Sequence, residues 1–285
     1  MNPEGKMIVV VGATGRQSQQ VSRQLRQQGW HVRGLTRNPT SQKGAALKQL
    51  GVELVQANTE DMASLHSALQ NAYGVYNMQP PVSGKIEIEI RQGKNVAEAA
   101  HQAGVQHLVY GSAGPSHTKT GIEQWDAKIE ITEAMKALGV PLTTLRPMAF
   151  MELMTDPTYY PQSSTWYTMP KLAGWDTKIP WLSLQDLGVI AAKVFAHPEI
   201  YVGQDLRLAS DVQSLAESRR IYQEVRERAP STLPMPTFLF EKFVGKDIPN
   251  MWRWLASHPV NLDPSLTRQI HPEAMTVRTW LQSQS

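Results

Sequence analysis

The residues with the clearest chemical role form the turn Gly12-Ala13-Thr14-Gly15-Arg16-Gln17-Ser18, which follows the apolar run at residues 7–11. A strand that ends in a glycine turn and feeds a helix presents backbone N–H groups and the positive end of the helix dipole to an anion. The alternative is a turn that only packs a helix on a strand. The context favours a site for a dinucleotide pyrophosphate, and its predicted residues are Gly12, Thr14, Gly15, Arg16 and Gln17.

The last position of this turn is unusual, because Ser18 stands where a glycine normally allows close contact between helix and strand. A serine adds only a hydroxymethyl group. We therefore expect a slightly wider spacing between helix and strand, an additional hydroxyl near the phosphates, and retained binding.

Cofactor choice in such a site depends on the end of the second strand, about 20 residues after the turn, where NAD sites have an acid that binds the adenosine ribose. The sequence has Thr36-Arg37-Asn38 there. A guanidinium can pair with a 2′-phosphate, which a carboxylate would repel. Arg37 therefore favours NADP(H) as the cofactor, with Arg16 as a second candidate for the phosphates. The alternative for Arg37 is a solvated surface arginine beside the turn at Asn38-Pro39.

Ser112 and Lys128 are the predicted catalytic residues. Ser112 follows the apolar run at residues 107–111, near the expected position of a nicotinamide. Lys128 lies on the first turns of the next predicted helix, where an ammonium can hold the nicotinamide ribose and favour hydride delivery to a carbonyl. The alternative for Lys128 is an exposed helix lysine paired with Asp126 or Thr132.

These side chains need a scaffold, and the chain alternates short β-rich runs with helical patterns. The runs lie at residues 7–11, 31–36, 52–56, 74–78, 107–111, 141–145 and 205–209. Strands that alternate with helices of about 10 residues form right-handed βαβ units with parallel strands. This pattern predicts a doubly wound, mostly parallel α/β fold whose ligand binds at the carboxyl ends of the strands, where strand order reverses.

The regular alternation of strands and helices ends after residue 147, where prolines become frequent; Pro161 is one of them. We expect a nucleotide-binding domain at residues 1–150, completed by residues 183–210. Residues 151–182 and 211–285 are expected to form a smaller substrate region, the first part rich in loops and the second in helices. Seven of the eight tryptophans lie beyond residue 120, so this half carries most of the aromatic surface that could wall a pocket.

Composition excludes several other function classes. The 285 residues have a net charge of +3 without a long basic run, which argues against direct nucleic-acid binding. There is no cysteine, the eight histidines are scattered, and no metal site is predicted. A Gly-x-Ser-x-Gly hydrolase elbow is also missing. The longest apolar runs are far shorter than the roughly 20 residues of a membrane span, so we expect a soluble, cytoplasmic protein.

Several segments taken together resemble the NmrA-like group of atypical short-chain dehydrogenase/reductases. The resemblance runs from residue 7 to about residue 210 and fades beyond residue 211. The segments that carry it are residues 11–17, 31–33, 36–39, 51–56, 91–94, 125–128, 139–146 and 185–188. It implies a Rossmann-type fold with a smaller C-terminal substrate region, NADP(H) at the glycine turn, and an arginine such as Arg37 on the 2′-phosphate.

The same resemblance implies roles for residues after later strands. Asn58 stands near the expected adenine, where the family commonly has an aspartate, and Met78, Gln79 and the segment from Pro147 to residue 150 border the nicotinamide. Ordinary short-chain reductases have a tyrosine acid four residues before the lysine, but here that residue is Gln124. Family members without the tyrosine include reductases of quinones and other conjugated acceptors, and NADP(H)-responsive regulators.

The leading hypothesis is thus an NADPH-dependent reductase of a small conjugated molecule such as a quinone or an enal. In it, positioning and Lys128 assist hydride transfer and solvent supplies the proton. The first alternative is a sensor that binds NADP(H) and acts through a protein partner. A scaffold protein that has kept the fold is the second. The sequence makes no prediction of oligomeric state.

Overall fold

The computed structural model describes residues 3–80, 85–115, 117–159, 164–232 and 234–284, so Pro161 lies outside the described residues. The chain divides into two compact units. The first comprises Met1–Thr118, Trp125–Arg146 and Leu187–Leu206, and the second comprises Lys119–Gln124, Pro147–Asp186 and Arg207–Ser285. The sequence had placed the segment Lys119–Gln124 in the nucleotide-binding domain, but this segment belongs to the second unit.

The strands are β1 (Met7–Val10), β2 (His31–Thr36), β3 (Glu53–Gln56), β4 (Gly74–Asn77), β5 (His107–Gly111), β6 (Leu142–Pro147), β7 (Ala149–Phe150), β8 (Lys178–Leu182), β9 (Asp205–Leu208) and β10 (Asp211–Ser214). The helices are α1 (Arg16–Gln27), α2 (Gln42–Gln49), α3 (Met62–Leu69), α4 (Ile86–Gln102), α5 (Glu123–Ala137), α6 (Met169–Ala173), α7 (Leu184–Ala196), α8 (Pro198–Tyr201), α9 (Leu215–Arg226), α10 (Thr237–Val244), α11 (Asp247–Ser257), α12 (Ser265–Ile270) and α13 (Val277–Ser283). A 3-10 turn spans Met151–Met154 and a π-helical turn spans Ser164–Thr168.

The main sheet of the described chain has seven strands in the order β3-β2-β1-β4-β5-β6-β9. Each neighbouring pair from β3 to β6 is parallel. Strand order reverses between β1 and β4, which is where a doubly wound sheet leaves a crevice for its ligand. The predicted α/β class and the predicted strands of this sheet are confirmed.

The central strands form because their apolar runs are buried on both faces of the sheet, as in other parallel sheets. Every residue of β1, β4 and β5 is buried. Helix α1 covers β1 with Val21 and Leu25, both fully buried, and Gly29 follows this helix with a φ of +86°. The glycine turn packs closely on β2, because a Cβ at Gly34 would lie 2.7 Å from the Ala13 Cβ.

The second unit contains a small sheet in the order β10-β8-β7, with β8 antiparallel to β10 and parallel to β7. The sequence missed strands in this half. The stretch expected to be loop-rich contains β8, α6 and two short helical turns, and the stretch expected to be helical begins with β10 and continues with α9 to α13. Strand β8 was missed because it contains Pro180, and proline argues against a strand. In the structure Pro180 lies opposite Val212 of β10 in the register of the sheet. Among the described residues, no helix is long and apolar enough to cross a membrane.

Candidate functional site

A cavity of about 1290 Å³ opens in the first unit, beyond the carboxyl ends of β1 to β4. Its volume exceeds the roughly 300–1,000 Å³ of sites for drug-sized ligands. Its wall consists of Val11, Gly12, Thr14, Gly15, Leu35, Thr36, Arg37, Asn38, Ser41, Lys43, Gln56, Ala57, Asn58, Thr59, Glu60, Asp61, Ser64, Met78, Gln79, Pro80, Ile88, Arg91 and Gln92. The position agrees with the crevice predicted at the reversal of strand order.

The glycine turn forms the part of this wall that is suited to an anion. Gly12 has a φ of +61°, and the Gly15 N–H donates to the Gly12 carbonyl at 2.7 Å. A Cβ at Gly15 would lie only 3.1 Å from that carbonyl oxygen. Gly15 is also the N-cap of α1, which has neither a side-chain cap nor an acid in its first turn. The positive end of α1 is thus open to a negatively charged ligand.

Not every residue predicted for the turn reaches the cavity. Gly12, Thr14 and Gly15 border it, whereas Arg16 and Gln17 lie on the first turn of α1 outside its wall. The Gln17 side chain has a buried Oε1 without a hydrogen-bond partner among the described residues.

Ser18 corrects an expectation about the turn. Its side chain is fully buried, and its Oγ donates a hydrogen bond of 2.8 Å to the Val11 carbonyl at the end of the first strand. The hydroxyl therefore joins helix and strand and is not an additional group for the phosphates. The expectation of a phosphate-facing hydroxyl was wrong because the nearest acceptor is the strand that the helix covers.

Arg37 is exposed on the cavity wall, directly after β2. The structure adds Lys43, an exposed wall residue in the first turn of α2, which Ser41 caps through its side chain. Neither cation has a hydrogen bond or ion pair with any described residue. A cation at a helix N-terminus opposes the helix dipole. That unusual placement is the signal in the sequence by which Lys43 could have been found as a candidate residue for binding an anion.

The third strand end forms the opposite rim. Asn58 borders the cavity, and its Oδ1 accepts the Glu60 N–H at 3.1 Å. Glu60 in turn forms an ion pair of 2.7 Å with Arg91 of α4. This hydrogen-bonded guanidinium holds the pKa of Glu60 below its usual value. The rim is therefore closed by a contact between the third strand end and α4.

Met78 and Gln79, after β4, also border the cavity. Gln79 is buried, and its Nε2 donates to Oδ1 of Asn77, whose Nδ2 donates to the Gly93 carbonyl at 3.2 Å. These two hydrogen bonds link the side chain of Gln79 through Asn77 to α4. Its backbone carbonyl accepts a 2.9 Å hydrogen bond from Nζ of Lys128.

Lys128 does not itself border the cavity, but it donates a hydrogen bond to Gln79, which does. Its side chain is only 8% exposed, and Nζ lies 2.7 Å from Oε1 of the fully buried Glu89. Thr132 donates its hydroxyl to the Lys128 backbone carbonyl and does not contact the ammonium in this way. The alternative of an exposed lysine paired with Asp126 or Thr132 was therefore wrong. The partner Glu89 was missed because it alternates with isoleucines at residues 86–90, a pattern that does not reveal a buried acid.

Ser112 and Pro147 lie outside the cavity wall. Ser112 is buried, its N–H donates to the Leu145 carbonyl at 2.9 Å, and its Oγ accepts a 3.4 Å hydrogen bond from Arg146. The same arginine binds both carboxylate oxygens of Asp205. Pro147 belongs to the second unit.

A further expectation was that aromatic side chains of the second half of the chain could wall a pocket. The cavity wall contains no aromatic side chain among the described residues. Trp166 packs instead on Tyr222, with ring centroids 5.6 Å apart, beside a smaller cavity of about 340 Å³ in the second unit. Within the described ranges, no cluster of three His, Asp or Glu side chains could hold a metal ion.

The model of the NmrA-like family matches residues 4–281, which extends beyond residue 211 where the motifs fade. An NmrA-like family domain-containing oxidoreductase from Cladobotryum is 30% identical over 247 residues, which are 77% of this chain and 73% of the relative.

Solved structures show the same fold. NmrA, described as a negative transcriptional regulator in complex with NADP, has a TM-score of 0.77 and 19% identity, with 97% of this chain and 94% of that chain covered. An NADPH-dependent quinone oxidoreductase from Escherichia coli has a TM-score of 0.77 and 21% identity, with 98% and 99% covered.

Proposed function

This chain belongs to the NmrA-like family, and on that premise we propose that it binds NADP(H) and reduces a small conjugated acceptor such as a quinone or an enal. The observation that carries the proposal is the position of Lys128, whose ammonium contacts the back of the cavity wall at Gln79.

The residues of the cavity wall would suit the parts of a dinucleotide cofactor with a 2′-phosphate. The pyrophosphate would bind at Gly12, Thr14 and Gly15, at the uncapped start of α1, with Arg16 and Gln17 in its first turn. Arg37 and Lys43 supply two cations, neither with a partner among the described residues, for a 2′-phosphate. Asn58 and its neighbours provide the polar rim expected around an adenine.

At the other end, Met78 and Gln79 would border the nicotinamide, which supplies the hydride when the cofactor is bound. Lys128 places a positive charge behind this part of the wall, within a buried region of low dielectric. A fixed charge in such surroundings stabilises negative charge that develops on an acceptor oxygen as the hydride arrives. No side chain acid is then needed, and solvent provides the proton.

The substrate class follows from what the chain has in place of a general acid. Gln124, four residues before Lys128, cannot donate a proton as an acid. Conjugated acceptors suit such a site because they delocalise the charge left by hydride addition. The quinone oxidoreductase with the same fold supports this substrate class, and the Cladobotryum relative, named an oxidoreductase, supports redox chemistry in general.

A sensor that acts through a protein partner is the second candidate. Gln124 favours it, since the usual acid is missing, and so does the fold shared with the regulator NmrA. The two candidates differ in turnover. Purified protein with NADPH and a panel of quinones and enals should oxidise the cofactor at rates well above those without protein. Tight NADPH binding without oxidation by any acceptor would instead support the sensor.

A further inference from the structure

Among the described residues, the ion pair between Glu89 and Lys128 is the most deeply buried charge pair close to the candidate site. Glu89 lies near the start of α4 and Lys128 in α5, and their side chains are 0% and 8% exposed. Burying two charges costs more than their attraction commonly returns, so apolar residues would often serve stability as well or better. A role in the chemistry of the adjacent cavity accounts for the pair more directly than a role in folding.

The contacts of Lys128 form a short chain that ends at the cavity. Oε1 of Glu89 lies 2.7 Å from Nζ, and Nζ donates to the Gln79 carbonyl at 2.9 Å. Gln79 is itself part of the cavity wall. An ammonium has three N–H donors, and these are its two polar partners among the described residues. The ion pair and the single hydrogen bond to the carbonyl therefore fix where the charge lies, and neither carboxylate oxygen of Glu89 has a hydrogen-bond partner among the described residues.

Tyr110 is another group near Lys128 with an exchangeable proton. Nζ of Lys128 lies 5.8 Å from the centre of its ring, and its hydroxyl has no hydrogen-bond partner among the described residues. Burial raises the pKa of Tyr110 well above its usual value, and the negative charge of Glu89 adds to the rise. Tyr110 is therefore a poorer acid than an ordinary tyrosine and does not replace the one missing at Gln124. The positive charge of Lys128 is therefore the feature of this end of the cavity that could stabilise negative charge on a substrate.

We propose that Glu89 is the positioning residue of the site and acts through Lys128, by fixing the ammonium against the Gln79 carbonyl so that its charge faces the reacting end of the cavity. This inference rests on the proposed reductase function. It explains why a fully buried carboxylate is placed on a helix that also contributes Ile88 and Gln92 to the cavity wall. Glu89 itself does not border the cavity.

The test measures kcat and the NADPH dissociation constant of Glu89→Gln and Glu89→Asp. Removal of one preorganised electrostatic donor typically lowers kcat by about 10²–10³-fold, and loss of its positioning partner should approach the lower end of that range. We expect Glu89→Gln to lower kcat at least tenfold with NADPH affinity changed less than threefold. Glu89→Asp keeps the charge and should recover part of the loss.

Two further variants separate positioning from stability. The pair Lys94–Glu130 joins the same two helices at the same 2.7 Å distance, but its side chains are 43% and 50% exposed, so Glu130→Gln is a matched control expected to leave kcat unchanged. If Glu89 acts through Lys128, Glu89→Leu in a Lys128→Leu background should lower kcat no further. This double variant leaves no buried charge unpaired and should fold even if Glu89→Gln does not.

If the wild-type protein turns over, three results would overturn the inference. The first is an unchanged kcat in Glu89→Gln, and the second is an equal loss of kcat in Glu89→Asp and Glu89→Gln that follows the unfolding of both variants. The third is a further loss of kcat when Glu89→Leu is added to Lys128→Leu. Absence of turnover in the wild type would overturn the proposed function first, and the inference with it.

Discussion

Oγ of Ser18 donates a 2.8 Å hydrogen bond to the carbonyl oxygen of Val11, inside the contact between α1 and the end of β1. Both residues are buried, so the bond takes the place of the close backbone contact that a glycine gives in other dinucleotide turns. The turn keeps its shape without its last glycine because the serine hydroxyl satisfies the strand carbonyl.

Ser18→Ala removes this donor and leaves a buried carbonyl without its partner. We expect a loss of about 1–3 kcal/mol in the free energy of unfolding, measured in urea, because an unsatisfied buried acceptor carries that cost. NADPH affinity should change less than threefold, since Ser18 does not border the cavity. A large loss of affinity with unchanged stability would show that the hydroxyl contacts the ligand after all.

Arg37→Ala should abolish a preference for NADPH over NADH. A charge-assisted contact with the 2′-phosphate is worth about 1.5–3 kcal/mol, so the variant should bind NADPH roughly 10-fold to 100-fold more weakly and NADH about equally. Fluorescence titration with both cofactors measures this directly. Arg23→Ala, an exposed arginine on α1 away from the cavity wall, is the control. Equal affinity of the wild type for the two cofactors would contradict the assignment.

Lys43→Ala tests the second cation, which the structure places on the same wall as Arg37. We expect a severalfold loss of NADPH affinity that grows in low salt, because exposed charges are screened by ions. Lys48→Ala, at the other end of α2, should have no such effect, since this exposed lysine lies outside the wall. If the two alanine variants behave alike, only the general charge of the helix matters.

Glu152 makes the stability of the second unit depend on pH. Burial raises the pKa of Glu152 to about 7, against a contribution of opposite sign from the Leu184 N–H that it accepts at 3.0 Å. The folded state therefore retains the proton longer than the unfolded state does. Its contribution to stability is complete below pH 4.5 and is lost as pH rises to about 7, at a cost of at most about 3 kcal/mol.

Glu152→Gln stays neutral at every pH and keeps an oxygen for the Leu184 N–H. Its melting temperature should therefore rise relative to the wild type between pH 4.5 and 7 and keep that gain above pH 7. Glu273→Gln, on the surface of the second unit, is the control. A difference between Glu152→Gln and wild type that does not vary with pH would contradict the assignment of the buried acid.

The sequence was sufficient for the main sheet because each of its central strands is a short, continuous apolar run with turn residues at both ends. It was also sufficient for Arg37, since a residue directly after β2 needs only the strand position to be placed. The roles that we propose for Lys43 and Glu89 could not be predicted in this way, because they depend on how separate elements come together in the fold. Nothing local distinguishes Glu89 from an exposed helix acid until α5 brings Lys128 to it. Strand β10 was missed because its four residues carry little apolar alternation.

The central claim is that the protein transfers hydride from NADPH, and isotope transfer tests it most directly. NADPH labelled with deuterium at either C4 position is oxidised by an enal, and the product is analysed by mass spectrometry. Since hydride addition to the enal forms a stable carbon–deuterium bond, one labelled cofactor should give a product with one deuterium. For quinones, whose oxygen-bound label exchanges with water, the same transfer appears as slower single-turnover oxidation of the labelled cofactor. Lys128→Met should lower the rate about 10²–10³-fold without altering the label. NADPH bound tightly, with neither label transfer nor single-turnover oxidation by any acceptor, would contradict the account.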